Sequence, residues 1–197
     1  RDECGRPKPV YSERVNRQYL PDNYRETGAI ISCRRDVLAR GTRFGDRVGM
    51  VELSKAEAID IDDYFDWWLA EKSIRRKRIC FHVLGNTTYG LGHVYRALTL
   101  ADRLIDHELT FVVNEESMLA AEMIRNRFYQ VQVCENGTEL SSILETQPDL
   151  VINDVLNTDA NFVKSLQAAG PKVVNFEDEG LGSDYADLVV NAVYGPH

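Results

Sequence analysis

Long apolar runs are missing from this 197-residue chain, and no stretch is long enough to span a bilayer. No signal peptide is visible and the first residue is not Met, which reads as a processed form or an excised piece. Cysteine is scarce: Cys4, Cys33, Cys80 and Cys134, with no CxxC or other zinc spacing among them. The last three sit in apolar or strand-like surroundings, where a thiol serves as a small hydrophobe, and a reducing cytoplasm is the expected setting. Basic residues are scarce in one half only. Residues 1–78 hold 17 Lys and Arg against 14 Asp and Glu, while residues 79–197 hold 6 against 17. The net charge of −8 argues against a general nucleic-acid binder. The shift in composition places a domain boundary near residue 78, with a linker at 73–78. The run Arg75-Arg-Lys-Arg78 on that boundary reads as a solvated linker or helix end rather than a nucleic-acid or nuclear-localisation patch.

What is present is clearest after residue 78. Apolar strand patterns at 79–84, 109–113, 129–133, 150–154, 173–176 and 188–191 alternate with helical patterns at 92–105, 117–127, 138–145 and 159–168. This alternation predicts an α/β fold, a Rossmann-like doubly wound parallel sheet covered on both faces. Ligands of such sheets bind beyond the strand C-terminal ends. The polar candidates there are Asn86 and Thr87, Asn114-Glu-Glu116, Asn153 and Asp154, Glu177-Asp-Glu179 with Gly180, and Asn191 with Tyr194. Each alone could be a turn or cap residue. Together they supply the hydrogen-bonding edge that a sugar needs.

The loop after the first strand, Asn86-Thr-Thr-Tyr-Gly-Leu-Gly-His-Val-Tyr-Arg96, is the centre of this half. Gly90 and Gly92 permit a positive φ or close approach of a ligand to the backbone. A helix starting there aims unpaired N–H groups and the positive end of its dipole at the loop. His93 lies at the mouth, where an imidazole can move a proton near neutral pH. A third glycine is lacking, so the dinucleotide fingerprint is not met, and neither is the GK[ST] ending of a P-loop.

The Gly-x-Gly-His-x-x-Arg pattern followed by Leu98-Thr-Leu-Ala101 resembles the UDP-sugar hydrolases of the pseudaminic acid pathway and their spore-coat polysaccharide relatives. The likeness continues at Pro148-Asp-Leu-Val-Ile-Asn-Asp154 and Tyr185-Ala-Asp-Leu-Val-Val-Asn-Ala192. It implies the N-terminal domain of a two-domain glycosyltransferase-type fold. It also implies His93 as general base for water attack at the anomeric carbon, with release of UDP. Asn86, Gly90, Gly92 and Arg96 would meet the substrate, Arg96 by orienting the helix start or touching a polar sugar group. The second Rossmann domain of that fold, which holds most of the nucleotide, is expected to lie beyond residue 197.

The front of the chain is different. Residues 1–24 contain three prolines and little periodicity, which reads as an extended arm that leans on a partner. Short strands are expected at 27–33, 48–53 and 58–62, with a short helix at 35–40. A strand at 58–62 would set Asp60 and Asp62 on one face, where a Mg²⁺ ion could screen them. An exposed strand end followed by a helix cap explains the same acids. The next helix, from residue 63 to about 72, spaces Tyr64, Phe65, Trp67, Trp68 and Leu69 as a packing face.

Arg17-Gln-Tyr-Leu-Pro-Asp-Asn-Tyr-Arg-Glu-Thr-Gly-Ala-Ile30, followed by Ala58-Ile-Asp-Ile-Asp62, resembles the C-terminal part of the acylneuraminate cytidylyltransferases. The resemblance implies Mg²⁺ on Asp60 and Asp62. It further implies that Arg17 and Arg25 meet an acidic sugar, partly across a homodimer interface formed by the arm. Bidentate pairing suits Arg to that role. Thr27 stands where that family usually has Asn, and nothing upstream of Arg17 resembles its CTP loop. The two likenesses together predict part of a bifunctional enzyme for CMP-activated, sialic-acid-like sugars. A glycosyltransferase of the same fold and a non-catalytic assembly module are the alternatives.

Overall fold

The computed structural model describes residues 14–19, 24–88 and 90–191. Cys4, Tyr194 and most of the proline-containing arm lie outside them, as does the side chain of Arg17. The chain forms two compact units, residues 1–67 and 68–197.

The first unit is sparse. It holds a 3-10 turn at Arg17–Tyr19, a short helix α1 (Arg35–Leu38) and the start of helix α2 (Tyr64–Arg75). No strand forms at 27–33, 48–53 or 58–62 among the described residues. A strand needs neighbours to take its N–H and C=O groups, and these short runs find none. Val37 is the one buried hydrophobic residue described in this unit, whereas Ile30 and Val51 are 92% and 87% exposed. The packing face expected of α2 is likewise not made: the helix buries none of its residues. α2 does start where the acids predicted, because Asp63 accepts from the Phe65 and Asp66 N–H groups at 2.7 and 3.0 Å.

The second unit carries a six-stranded sheet. In chain order it runs β1 (Arg78–Val83), α3 (Gly92–Ala101), β2 (Glu108–Asn114), α4 (Met118–Arg125), β3 (Gln130–Cys134) and α5 (Glu139–Glu145). It continues with β4 (Leu150–Asp154), α6 (Ala160–Ala168), β5 (Lys172–Phe176) and β6 (Leu188–Val190). All pairings are parallel, in the order β3-β2-β1-β4-β5-β6. This is an α/β, Rossmann-like fold, and its chain reverses direction of growth between β1 and β4.

Burial follows the two-residue period of the strands. Ile79, Phe81 and Val83 face α3 and α4, with Val94, Ala97, Ala101, Ala120, Ala121 and Ile124. Cys80, Val112, Val151 and Val173 face α5 and α6, with Ile143, Val163 and Leu166. Burial pushes the Cys80 thiol up to about 12, so it stays a protonated hydrophobe at neutral pH. Among the described residues no helix is long and apolar enough to cross a membrane.

Phe81 and Phe111 stack at 4.8 Å between ring centroids, and both are fully buried. Phe81→Ala is expected to cost about 3–5 kcal/mol through lost burial and a residual cavity, measured by denaturant titration followed by circular dichroism. A loss below 1 kcal/mol would mean that this stack is not the centre of the core.

Candidate functional site

Sheets of this kind bind ligands beyond the strand C-terminal ends at the switch point, here between β1 and β4, and the turn that follows β1 starts at that edge. Asn86 and Gly90 close a tight turn: the Gly90 N–H donates to the Asn86 carbonyl at 2.9 Å, and the Thr88 N–H to Asn86 Oδ1 at 2.9 Å. Gly90 takes φ +79°, the left-handed conformation that glycine adopts without strain. Gly92 is instead the first residue of α3, with open space where a Cβ would be. No side chain caps this helix among the described residues, so its first N–H groups have no capping side-chain acceptor.

One helical turn then places His93 and Arg96 on the same face. Both reach the end of β4. Asp154 has no solvent exposure, and its carboxylate meets His93 Nδ1 at 2.7 Å. Arg96 donates to the same carboxylate through Nε at 2.8 Å and a terminal nitrogen at 2.5 Å. Its other terminal nitrogen meets Glu177 Oε1, just past β5, at 2.6 Å. The guanidinium also lies 5.6 Å over the Phe176 ring. Hydrogen bonding to Asp154 raises the Arg96 pKa above its ordinary value, so the cation is permanent.

The pairing assigns the imidazole tautomer. An ionised carboxylate only accepts, so the 2.7 Å contact requires the proton on His93 Nδ1. The 3.2 Å approach of Arg96 to that nitrogen is therefore proximity rather than a hydrogen bond. Nε2 carries the lone pair. An imidazole fixed this way can accept a proton from water or a hydroxyl at Nε2.

A second polar group lies on the other face of the sheet. His82 Nδ1 meets Asn153 Oδ1 at 3.2 Å, and Asn153 Nδ2 donates to Asn175 Oδ1 at 2.8 Å. Asn175 Nδ2 donates in turn to Thr158 Oγ1 at 3.1 Å and Asp178 Oδ2 at 2.6 Å. All five residues are buried. His82 Nε2 has no partner among the described residues, nor has Asn114 Oδ1 at the end of β2. The pattern reading had Asn153 and Asp178 among its edge residues but missed His82, Thr158 and Asn175. The available signal was a histidine or asparagine inside an otherwise apolar strand.

The remaining predicted residues belong to the first unit. Thr27, Gly28, Ala29, Glu57, Ala58, Ile59 and Asp60 line a hollow of about 200 Å³. The two stretches of the cytidylyltransferase resemblance thus share one pocket. Asp62 sits outside that lining and its N–H donates to Asp66 Oδ2 at 3.2 Å. The common strand face expected for Asp60 and Asp62 is not formed, because the strand is not. Among the described residues no three His, Cys, Asp or Glu side chains converge as a cation cage. Two carboxylates are the protein's usual share of a Mg²⁺ shell completed by substrate phosphates. Arg25 is exposed in an irregular stretch.

Comparison with known proteins finds distant, partial relatives. Over 118 residues the chain is 30% identical to the spore coat polysaccharide biosynthesis protein SpsG of Bacillus subtilis. It is 32% identical over 115 residues to an uncharacterized protein of Methanocaldococcus jannaschii. Each match takes in 56% of this chain, but only 34% of SpsG and 24% of the archaeal protein. The similarity is partial. No family model matches the chain, and no solved structure matches it.

His82 gives the site region a pH signature. Burial lowers its pKa from the ordinary 6.5, outweighing the Asn153 hydrogen bond and the Glu139 charge that raise it. Above pH 6.5 the ring is neutral folded or unfolded. Below that, the unfolded chain takes up the proton first, so stability falls as pH drops, by up to about 1.4 kcal/mol per pH unit for one proton. His82→Gln should flatten the loss between pH 6.5 and 5 in urea titrations; an unchanged slope would assign it to other groups.

Proposed function

We propose that the chain is part of a nucleotide-sugar hydrolase in which His93 is the general base. The observation that supports this most directly is the contact of His93 Nδ1 with the buried Asp154 carboxylate at 2.7 Å, at the edge where such sheets bind ligands. Water attacks the anomeric carbon and loses its proton to His93 Nε2. The bond from that carbon to the diphosphate oxygen breaks, and UDP leaves with the electron pair. The imidazolium so formed is met by Asp154, while Glu177 and Arg96 offset each other beside it. The partial similarity to a polysaccharide biosynthesis protein is consistent with a sugar substrate.

Arg96 enters this reading with a changed emphasis. Nitrogens on both sides of its guanidinium are already bonded to carboxylates, so it acts mainly by orienting Asp154. Asn86, Gly90 and Gly92 would bring backbone N–H groups near a sugar or phosphate oxygen. The first unit would contribute the cytidylyltransferase-like part, with Arg17 and Arg25 meeting an acidic sugar and Asp60 and Asp62 a phosphate-bound Mg²⁺. A homodimer through the arm and a cytoplasmic setting belong to the same reading.

In the complete gene product, His93→Ala is expected to cut UDP release from UDP-sugars by roughly 10²–10⁴-fold and leave cytidylyl transfer unchanged. Hydrolysis retained in that variant would refute the assigned base. UDP release only when an acceptor sugar is added would favour the glycosyltransferase alternative.

A further inference from the structure

The residue that delivers Glu177 to Arg96 is unusual in its backbone. Glu177 has φ +48°, a left-handed conformation that is uncommon for a residue with a side chain and is held only where neighbours over-determine it. The neighbours are in view. The Glu177 N–H donates to the Val190 carbonyl at 2.9 Å, the Glu179 N–H to Leu156 at 2.8 Å and the Gly182 N–H to Thr158 at 2.9 Å. The loop after β5 is therefore bound down on the loop after β4. There is no room for side chains at the seam, since a Cβ on Gly180 would lie 2.3 Å from the Thr158 carbonyl oxygen and one on Gly182 would lie 2.0 Å from Thr158 Oγ1.

Asp178 is the centre of that seam. It is 4% exposed, and its carboxylate accepts from the Thr158 N–H at 2.8 Å, the Gly180 N–H at 2.9 Å, Asn175 Nδ2 at 2.6 Å and the Thr158 hydroxyl. Four neutral donors meet one buried anion, and no cation is among these partners. A carboxylate so placed has one geometry, because each oxygen is fully engaged.

We propose that Asp178 is a positioning residue for the site. It locks the 177–182 loop, which forces Glu177 into its left-handed conformation and turns its carboxylate to Arg96. Arg96, held from that side, keeps Asp154 against His93 Nδ1. The coupling runs through contacts on the page: Asp178 to Thr158 and Gly180, Glu177 to Arg96, Arg96 to Asp154, Asp154 to His93. The inference rests on the His93–Asp154 pair being the working site. Its readout is the imidazole itself, so it can fail while hydrolysis is found, and hold where hydrolysis is not.

The test is Asp178→Asn in the full chain, read by ¹⁵N NMR of the His93 ring, with His93→Gln to assign the signal. An amide keeps one oxygen and turns an NH₂ towards donors, so at least two of the four bonds are lost. Ile143→Ala, in the core on the face of the sheet away from α3, provides a control for general destabilisation. The expected result is a Nδ1–H imidazole in the parent chain. In Asp178→Asn the ring should move towards the Nε2–H form, with Nδ1–H exchange at least tenfold faster, and in Ile143→Ala it should not change. A folded Asp178→Asn chain with an unaltered His93 ring would overturn the proposal, as would an equal change in Ile143→Ala. If Asp178→Asn does not fold, Thr158→Val removes one donor at nearly constant shape. A shift in the same direction then supports the role, and an unmoved ring refutes it.

Discussion

Burying a carboxylate that neither a charge nor a full set of hydrogen-bond donors answers would cost far more than the surrounding packing returns. Asp154 is sealed from solvent at the end of β4, and its charge is met by Arg96 and its oxygen by the His93 ring. This one ionic contact ties the first helix of the sheet domain to the fourth strand. It sets the register of α3 over the sheet edge, because His93 and Arg96 reach Asp154 only when they share a helix face. It also decides which imidazole nitrogen is free. Removing Asp154 would leave Arg96 with only Glu177 and the imidazole with no preferred tautomer.

Consecutive residues of β4 serve opposite faces of the sheet. Asp154 turns to α3, while Asn153 turns to the buried chain of His82, Asn175, Thr158 and Asp178. Asp178 orients Asn175 by accepting from its amide nitrogen. Asn175 then offers its oxygen to Asn153, and Asn153 offers its own to His82. Directionality passes from the loop into the strands without any mobile proton. The result is two polar systems, one that orients the His93 ring and one that fixes loops, separated by the thickness of a single strand and joined through Glu177.

The first unit shows what happens when apolar patterning lacks partners. Its β-rich stretches remain irregular, and large side chains such as Ile30, Met50, Val51 and Tyr64 are left largely exposed. Periodicity describes which face a strand or helix would bury, but burial needs a second surface. The helix after Asp63 still forms, because its cap is local and needs no tertiary partner.

Much of the second unit was legible in order and type. Six apolar runs and four amphipathic segments became six parallel strands and four helices, with ends within a few residues of the pattern, since period-2 and period-3.6 burial are written directly in residue order. The glycine turn at Asn86–Gly90 and the place of His93 at a helix start were readable for the same local reason. The partners were not. Asp154 lies 61 residues from His93, and 58 from Arg96. Asp154 and Glu177 stood among a dozen polar residues at strand ends, and nothing in their local sequence favoured them over Glu115 or Asn191. Only the strand order, which sets β4 beside β1 and β5 beside β4, brought those two carboxylates under one arginine. The sequence alone therefore determined the parallel α/β fold and the helix-start loop, through local periodicity and turn chemistry. The tertiary structure decided which acid holds the histidine, because that choice depends on strand adjacency, and residue spacing does not encode it.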